Sequence, residues 1–191
     1  MKALEEKILR EGEVLPGNVL KVGSFLNQQI DVPFMNRMAA EGVKAFADKK
    51  ITKVLTVEAS GIAFGYAVAS VLNVPLVFAK KSKTSNLSGD LLQAEVYSYT
   101  HKASYVATVA AEFLCKGDLV LLADDFLANG EALRGLMKLA KSAGAEVAGA
   151  IIAIEKGFQK GGDALRAEGM RVESLAIVES MSPEGVISFR S

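Results

Sequence analysis

Short apolar runs alternate along this chain with segments whose apolar residues recur every three to four positions. Runs at 53–57, 75–79, 119–123, 147–154 and 171–177 predict buried strands, and 186–189 adds a candidate edge strand. Helical spacing appears first at 2–11, where Leu4 and Ile8 share a face; Gly12 and the Pro16-Gly17 pair then break the pattern. Asp31, followed by Pro33, is a helix start with Asp31 as N-cap, and Phe34, Met38, Val43 and Phe46 give that helix its apolar side. A helix of small residues is predicted at about 62–72, and another at 131–142, closed by Gly144. Residues 19–27 are irregular and mixed. The stretch 80–90 is polar and carries Lys80, Lys81 and Lys83, so it reads as a long loop; residues 94–99 and 105–109 suit a hairpin rising from it. Strands alternating with helices predict an α/β fold with a mainly parallel twisted sheet and helices on both faces. The two ends do not follow the alternation and are expected to cap the sheet.

The chain has 191 residues, which suits one domain, 1–191, with at most an appended lobe. Half the residues are hydrophobic, enough for a sizeable core, and 22 basic residues balance 22 acidic ones, against the basic excess of a nucleic-acid binder. Cys115 is the only cysteine, so no internal disulfide forms, as in a reducing cytoplasm. The charged amino terminus lacks the apolar core of a signal peptide. The most apolar window, 147–154, is too short to span a bilayer. A soluble cytoplasmic protein is expected.

Chemistry concentrates where predicted strands end. After the run at 120–123 come Asp124 and Asp125, then small residues Ala128, Asn129 and Gly130 at a helix start. Open α/β sheets bind ligands at the carboxyl ends of their strands. A helix start offers N–H groups and a positive dipole end to a phosphate, and small residues permit close backbone approach. The acids suit ribose hydroxyls or a magnesium ion. A solvated loop after a core strand is the bland alternative. Ser60 and Gly61 follow the strand at 53–57 and make either an ordinary turn or a second anion-binding turn, and one ligand can span both. The basic loop is either a mobile surface segment or a lid over a polyanion. Lys156 ends the strand at 147–154 and either snorkels or meets a ligand carbonyl. His101, the only histidine, reads as a loop residue, and neither a GxGxxG turn nor a GxxxxGK[ST] loop is present.

The stretch 120–132 resembles the phosphoribosyl-pyrophosphate motif of type I phosphoribosyltransferases: an apolar strand, two acids, a short loop, then glycine. Over nearly the whole chain the resemblance extends to the bacterial xanthine phosphoribosyltransferases. It is carried by Leu20-Lys-Val, Ser24-Phe-Leu-Asn27, Ser60-Gly-Ile-Ala63, Asp124-Asp-Phe-Leu-Ala-Asn-Gly130, Ile154-Glu-Lys156 and Arg171-Val-Glu-Ser-Leu-Ala176. Two positions depart from the general motif: Asn129 stands where threonine is frequent, and Ala128 where the hypoxanthine–guanine enzymes often carry an acid. Both look like the xanthine branch, and Ala128 leaves this loop without a side-chain base there.

The resemblance implies a type I phosphoribosyltransferase fold with a small hood built from about 1–35 and 156–191. It implies transfer of the phosphoribosyl group from 5-phospho-α-D-ribose 1-diphosphate to xanthine, in purine salvage, by a cytoplasmic homodimer with Mg²⁺ on the diphosphate. Asp124 and Asp125 would act at the ribose. Ala128, Asn129, Gly130, Glu131 and Ala132 would hold the 5′-phosphate, and Ser60, Gly61, Lys80 and Lys81 the diphosphate. Leu20, Asn27 and Lys156 would form the base pocket. The metal ligands stay open. Another 6-oxopurine is the nearest alternative substrate, and a donor-sensing regulator a more distant reading.

Overall fold

The computed structural model describes residues 1–81, 89–98, 103–182 and 184–190. Lys83 and His101 lie outside them. Helix α1 (Lys2–Glu11) leads into a short antiparallel hairpin, β1 (Glu13–Leu15) and β2 (Val19–Lys21), turned through Gly17 and Asn18, both at positive φ. One turn of π-helix, Gly23–Asn27, follows. Helix α2 (Val32–Gly42) starts where Asp31 and Pro33 predict, and the Asp31 carboxylate accepts the Phe34 N–H at 3.1 Å. Then come β3 (Lys53–Val57), α3 (Gly61–Leu72), β4 (Leu76–Ala79), the hairpin β5 (Leu91–Ser98) and β6 (Ala103–Ala110), and β7 (Leu119–Leu127). The chain finishes with α4 (Glu131–Ala143), β8 (Glu146–Lys156), α5 (Gly161–Ala167), β9 (Val172–Met181) and β10 (Ile187–Phe189).

The central sheet runs β10-β9-β8-β7-β3-β4. All neighbours pair in parallel except β10, which is antiparallel to β9. Both faces of the inner strands are covered, which explains why they read as apolar runs and not as alternating ones. Along β7, Leu121 and Ala123 join the core shared with Leu4, Ile8, Met38 and Phe64, whereas Val120 and Leu122 join Leu133, Leu136 and Leu139 of α4. The β5–β6 hairpin lies on the α4 side, with Ala94, Val96, Ala107 and Val109 buried in that second core.

Three elements differ from the sequence expectation. β7 continues beyond Ala123 to Leu127, because Phe126 and Leu127 keep pairing with Ile154 and Glu155 of β8. The acids therefore stand inside the ladder. Residues 19–27 are ordered as a strand and a π turn. Helix α5 carries Gly161 and Gly162 in its first turn, a poor intrinsic helix signal. Among the described residues, no helix is long and apolar enough to cross a membrane.

Candidate active site

At the carboxyl end of β7, Asp124 and Asp125 are 6% and 5% exposed. The Asp125 N–H donates to Asp124 Oδ1 at 3.0 Å. Two distant segments close on the Asp125 carboxylate: Ser60 Oγ donates to Oδ1 at 3.0 Å, and Asn27 Nδ2 to Oδ2 at 3.2 Å. The acids thus join the first turn after β3 to the amino-terminal π turn. Helix α3 begins against them. A side chain at Gly61 would overlap Thr56 Oγ1 and stand 2.6 Å from Asp124 Oδ1, so only glycine fits.

Burial, and after it the Asp125 charge, pushes the Asp124 carboxyl well above the usual carboxylate range, while Lys81 pulls weakly the other way. Tyr105 faces the same charge; burial and Asp124 raise its phenol to about 12. Together these groups edge a cleft of about 250 Å³, lined also by Glu58, Phe126 and the turn from Ala128 to Leu133. The turn reaches α4 through Gly130 at φ 88°. Asn129, Gly130, Glu131 and Ala132 thereby bring the start of α4 to the cleft, and the N–H groups of a first helical turn have no intrahelical acceptors. A small concave site with buried acids, a helix start and a lysine suits a phosphorylated sugar.

The two described lysines of the basic segment, Lys80 and Lys81, separate. Lys81 lines the cleft, with its backbone N–H on Glu58 Oε1 at 2.6 Å and its ammonium 5.3 Å from the Tyr105 ring centre. Lys80 bridges to Thr108 through two backbone hydrogen bonds of 2.9 Å and lines a neighbouring apolar groove with Phe78 and Phe113.

Beyond Phe126 lies the amino-terminal hairpin. Lys156 is half-buried, with its ammonium 5.7 Å from the Phe126 ring centre and donating to the Asn18 carbonyl at 3.0 Å. Burial lowers its pKa. Leu20 is buried on the same hairpin. Neither Leu20 nor Lys156 lines the acid cleft itself; Phe126 lines it and also meets Lys156.

Residues 23–183 match the family model of the phosphoribosyl transferase domain. The chain belongs to the phosphoribosyltransferase family. Its relatives include the xanthine phosphoribosyltransferase of Bifidobacterium longum (strain NCC 2705), 57% identical with both chains covered in full. That of Heliobacterium modesticaldum is 53% identical over 98% of this chain and 99% of its own. Among solved structures, the adenine phosphoribosyltransferase of Giardia lamblia, complexed with 9-deazaadenine, superposes with a TM-score of 0.78. That match, at 23% identity over 93% of this chain and 98% of the other, shows the shared type I fold.

Three groups that the sequence pattern does not single out line the acid cleft, Glu58, Tyr97 and Tyr105, and a fourth, Glu155, lies outside it. Glu58, just past the end of β3, lines the cleft with the acids. Tyr97 and Tyr105 were visible only as hairpin residues, because which hairpin face meets the sheet is decided by tertiary packing. Glu155 looked like a strand end; it is fully buried and held by Arg166 Nη1 at 2.9 Å and Nη2 at 2.7 Å.

Proposed function

We propose that this enzyme transfers the 5-phosphoribosyl group of 5-phospho-α-D-ribose 1-diphosphate to xanthine, forming xanthosine 5′-monophosphate and diphosphate in purine salvage. The observation that carries the reading is the buried Asp124–Asp125 pair, set between the α4 start and the Ser60–Gly61 turn and tied to Asn27. The full-length relatives named for xanthine support the choice of base.

In this reading the N–H groups of Ala128, Asn129, Gly130, Glu131 and Ala132 hold the 5′-phosphate. Asp124 and Asp125 engage the ribose hydroxyls, and Ser60, Gly61 and Lys81 meet the diphosphate. A purine nitrogen bonds to the anomeric carbon as the carbon–oxygen bond to diphosphate breaks on the opposite face. Catalysis is then positioning plus stabilisation of the leaving charge, with no nucleophilic side chain. Asp124 tolerates a proton better than an ordinary carboxylate, so hydroxyl contact there costs little charge burial.

Mg²⁺ is part of the proposal. Among the described residues no group of three or more His, Cys, Asp or Glu side chains converges to hold a metal. Asp125 spends both oxygens on Asn27 and Ser60. Such a donor set fits magnesium arriving on the diphosphate and taking one or two carboxylate contacts from the acid pair. When bound, the ion neutralises charge on the departing diphosphate. Leu20, Asn27 and Lys156 form the base pocket, under a hood drawn from about 1–35 and 156–191 of a single domain. The working enzyme is a cytoplasmic homodimer.

Incubation with xanthine, the diphosphate donor and magnesium tests this: equimolar xanthosine monophosphate and diphosphate are expected, and absence of both from a folded sample contradicts it.

A further inference from the structure

The ion pair between the buried Glu155 and the partly exposed Arg166 has no place in the mechanism above. Glu155 and Lys156 are consecutive on β8, so their side chains leave opposite faces of the sheet. Lys156 goes to Phe126 and the amino-terminal hairpin. Glu155 goes the other way and is 0% exposed. Arg166 of α5 meets both its oxygens, and Ser174 of β9 donates to Oε2. Arg166 also bonds the Val172 carbonyl at 3.2 Å. The carboxylate thereby fixes α5 against β8 and β9.

Helix α5 in turn supports the donor turn. The Gly161 N–H donates to the Ala128 carbonyl at 3.1 Å. The contact is backbone on backbone: a side chain at Gly161 would overlap the Ala128 carbonyl and stand 2.5 Å from Asn129 C and 2.7 Å from Gly130 N. Leu165 Cδ1 lies 3.3 Å from where a side chain at Gly130 would begin. Next to it, a side chain at Gly162 would overlap the Glu155 carboxylate and stand 2.8 Å from Arg166 Nη1. The two glycines let one short helix lie flat on the phosphate turn on one side and on the ion pair on the other.

We propose that Glu155 is a positioning residue for the donor: through Arg166 and the Gly161–Gly162 backbone it sets the height and tilt of the 128–130 turn. The inference rests on the reading of 128–132 as the 5′-phosphate cradle. Stability alone is a weak reason to keep such a group, since buried ion pairs are often replaceable by apolar residues. A cradle made of N–H groups does need its backbone fixed, and small displacements of a binding element cost large factors.

The test uses the full chain and two probes, ribose 5-phosphate and inorganic diphosphate. Gly161→Ala lifts the turn without touching substrate; Glu155→Gln keeps the volume beneath Gly162 and weakens the clamp. For Gly161→Ala, ribose 5-phosphate affinity by calorimetry should fall about tenfold or more. Diphosphate affinity, and kcat at saturating donor, should stay within about threefold. Glu155→Gln should shift ribose 5-phosphate in the same direction by a smaller factor, and it decides the matter if Gly161→Ala does not fold. Unchanged ribose 5-phosphate affinity in folded variants, or equal loss of both probes, overturns the proposal. Amide shifts in the unsubstituted protein separate the two levels. If ribose 5-phosphate leaves the N–H signals of 128–132 unmoved, the cradle reading fails, and this inference with it. If they move and the variants bind normally, only the bracing role fails.

Discussion

Asn27 Nδ2 lies 3.2 Å from Asp125 Oδ2, so a residue assigned to the base and a residue assigned to the ribose are hydrogen-bonded to each other across 98 positions of sequence. The bond to Asp125 uses one Asn27 N–H and leaves the second for a base. Asn27→Ala is expected to lower kcat/KM for xanthine by roughly 10- to 100-fold, the equivalent of about 1–3 kcal/mol for a lost polar partner. Hypoxanthine, which lacks the 2-oxo group, should lose less, and the donor KM should change little. Steady-state kinetics with both bases checks this; equal losses would remove Asn27 from specificity.

Asp125→Ala is expected to abolish transfer and leave the fold intact, since the side chain belongs to neither apolar core. Circular dichroism and nucleotide formation on the same sample decide it. A folded, fully active variant would refute the ribose assignment.

Asp124 gives a stability prediction with a definite sign. Its folded pKa is raised by burial and then by Asp125. Its favourable contribution is therefore fully present below the unfolded carboxylate range and is lost as pH rises through the raised folded value. In the ligand-free protein, ionising the buried Asp124 carboxyl therefore costs stability. Asp124→Asn should raise stability by about 1 kcal/mol, roughly 2–4 °C in Tm, while transfer falls. The Tm difference between variant and parent should shrink as pH is lowered. A variant that is less stable at neutral pH would contradict the electrostatic account.

Lys156→Met keeps the apolar stem beside Phe126 and removes the ammonium. Xanthine KM should rise by roughly 10- to 100-fold, with donor affinity nearly unchanged. Base-titration kinetics at saturating donor measure the first, and donor calorimetry the second.

Much of the fold around these residues is legible in the sequence. The Asp31 cap, the parallel strands and the small-residue helix start after β7 follow from local pattern, because each is decided by neighbours in sequence. Where β7 ends was not readable: Phe126 and Leu127 look like loop residues after two acids, yet β8 offers them a ladder to its own last residues. Helix α5 was missed because two glycines weaken it locally, and it is held by Arg166 reaching a carboxylate eleven residues back. The opposite fates of Lys80 and Lys81 follow from which side of β4's end each leaves, something a run of lysines does not encode. The tie between Asn27 and Asp125 depends on a π turn whose sequence, Gly-Ser-Phe-Leu-Asn, carries no strong local preference.

The most direct measurement is nucleotide formation from a purine panel. Xanthine, hypoxanthine, guanine and adenine are offered separately with the diphosphate donor and magnesium, and kcat/KM is compared. The account predicts turnover with a strong preference for xanthine. Preference for another purine would preserve the donor site and overturn the base pocket of Leu20, Asn27 and Lys156; no turnover with any base would contradict the proposed activity itself.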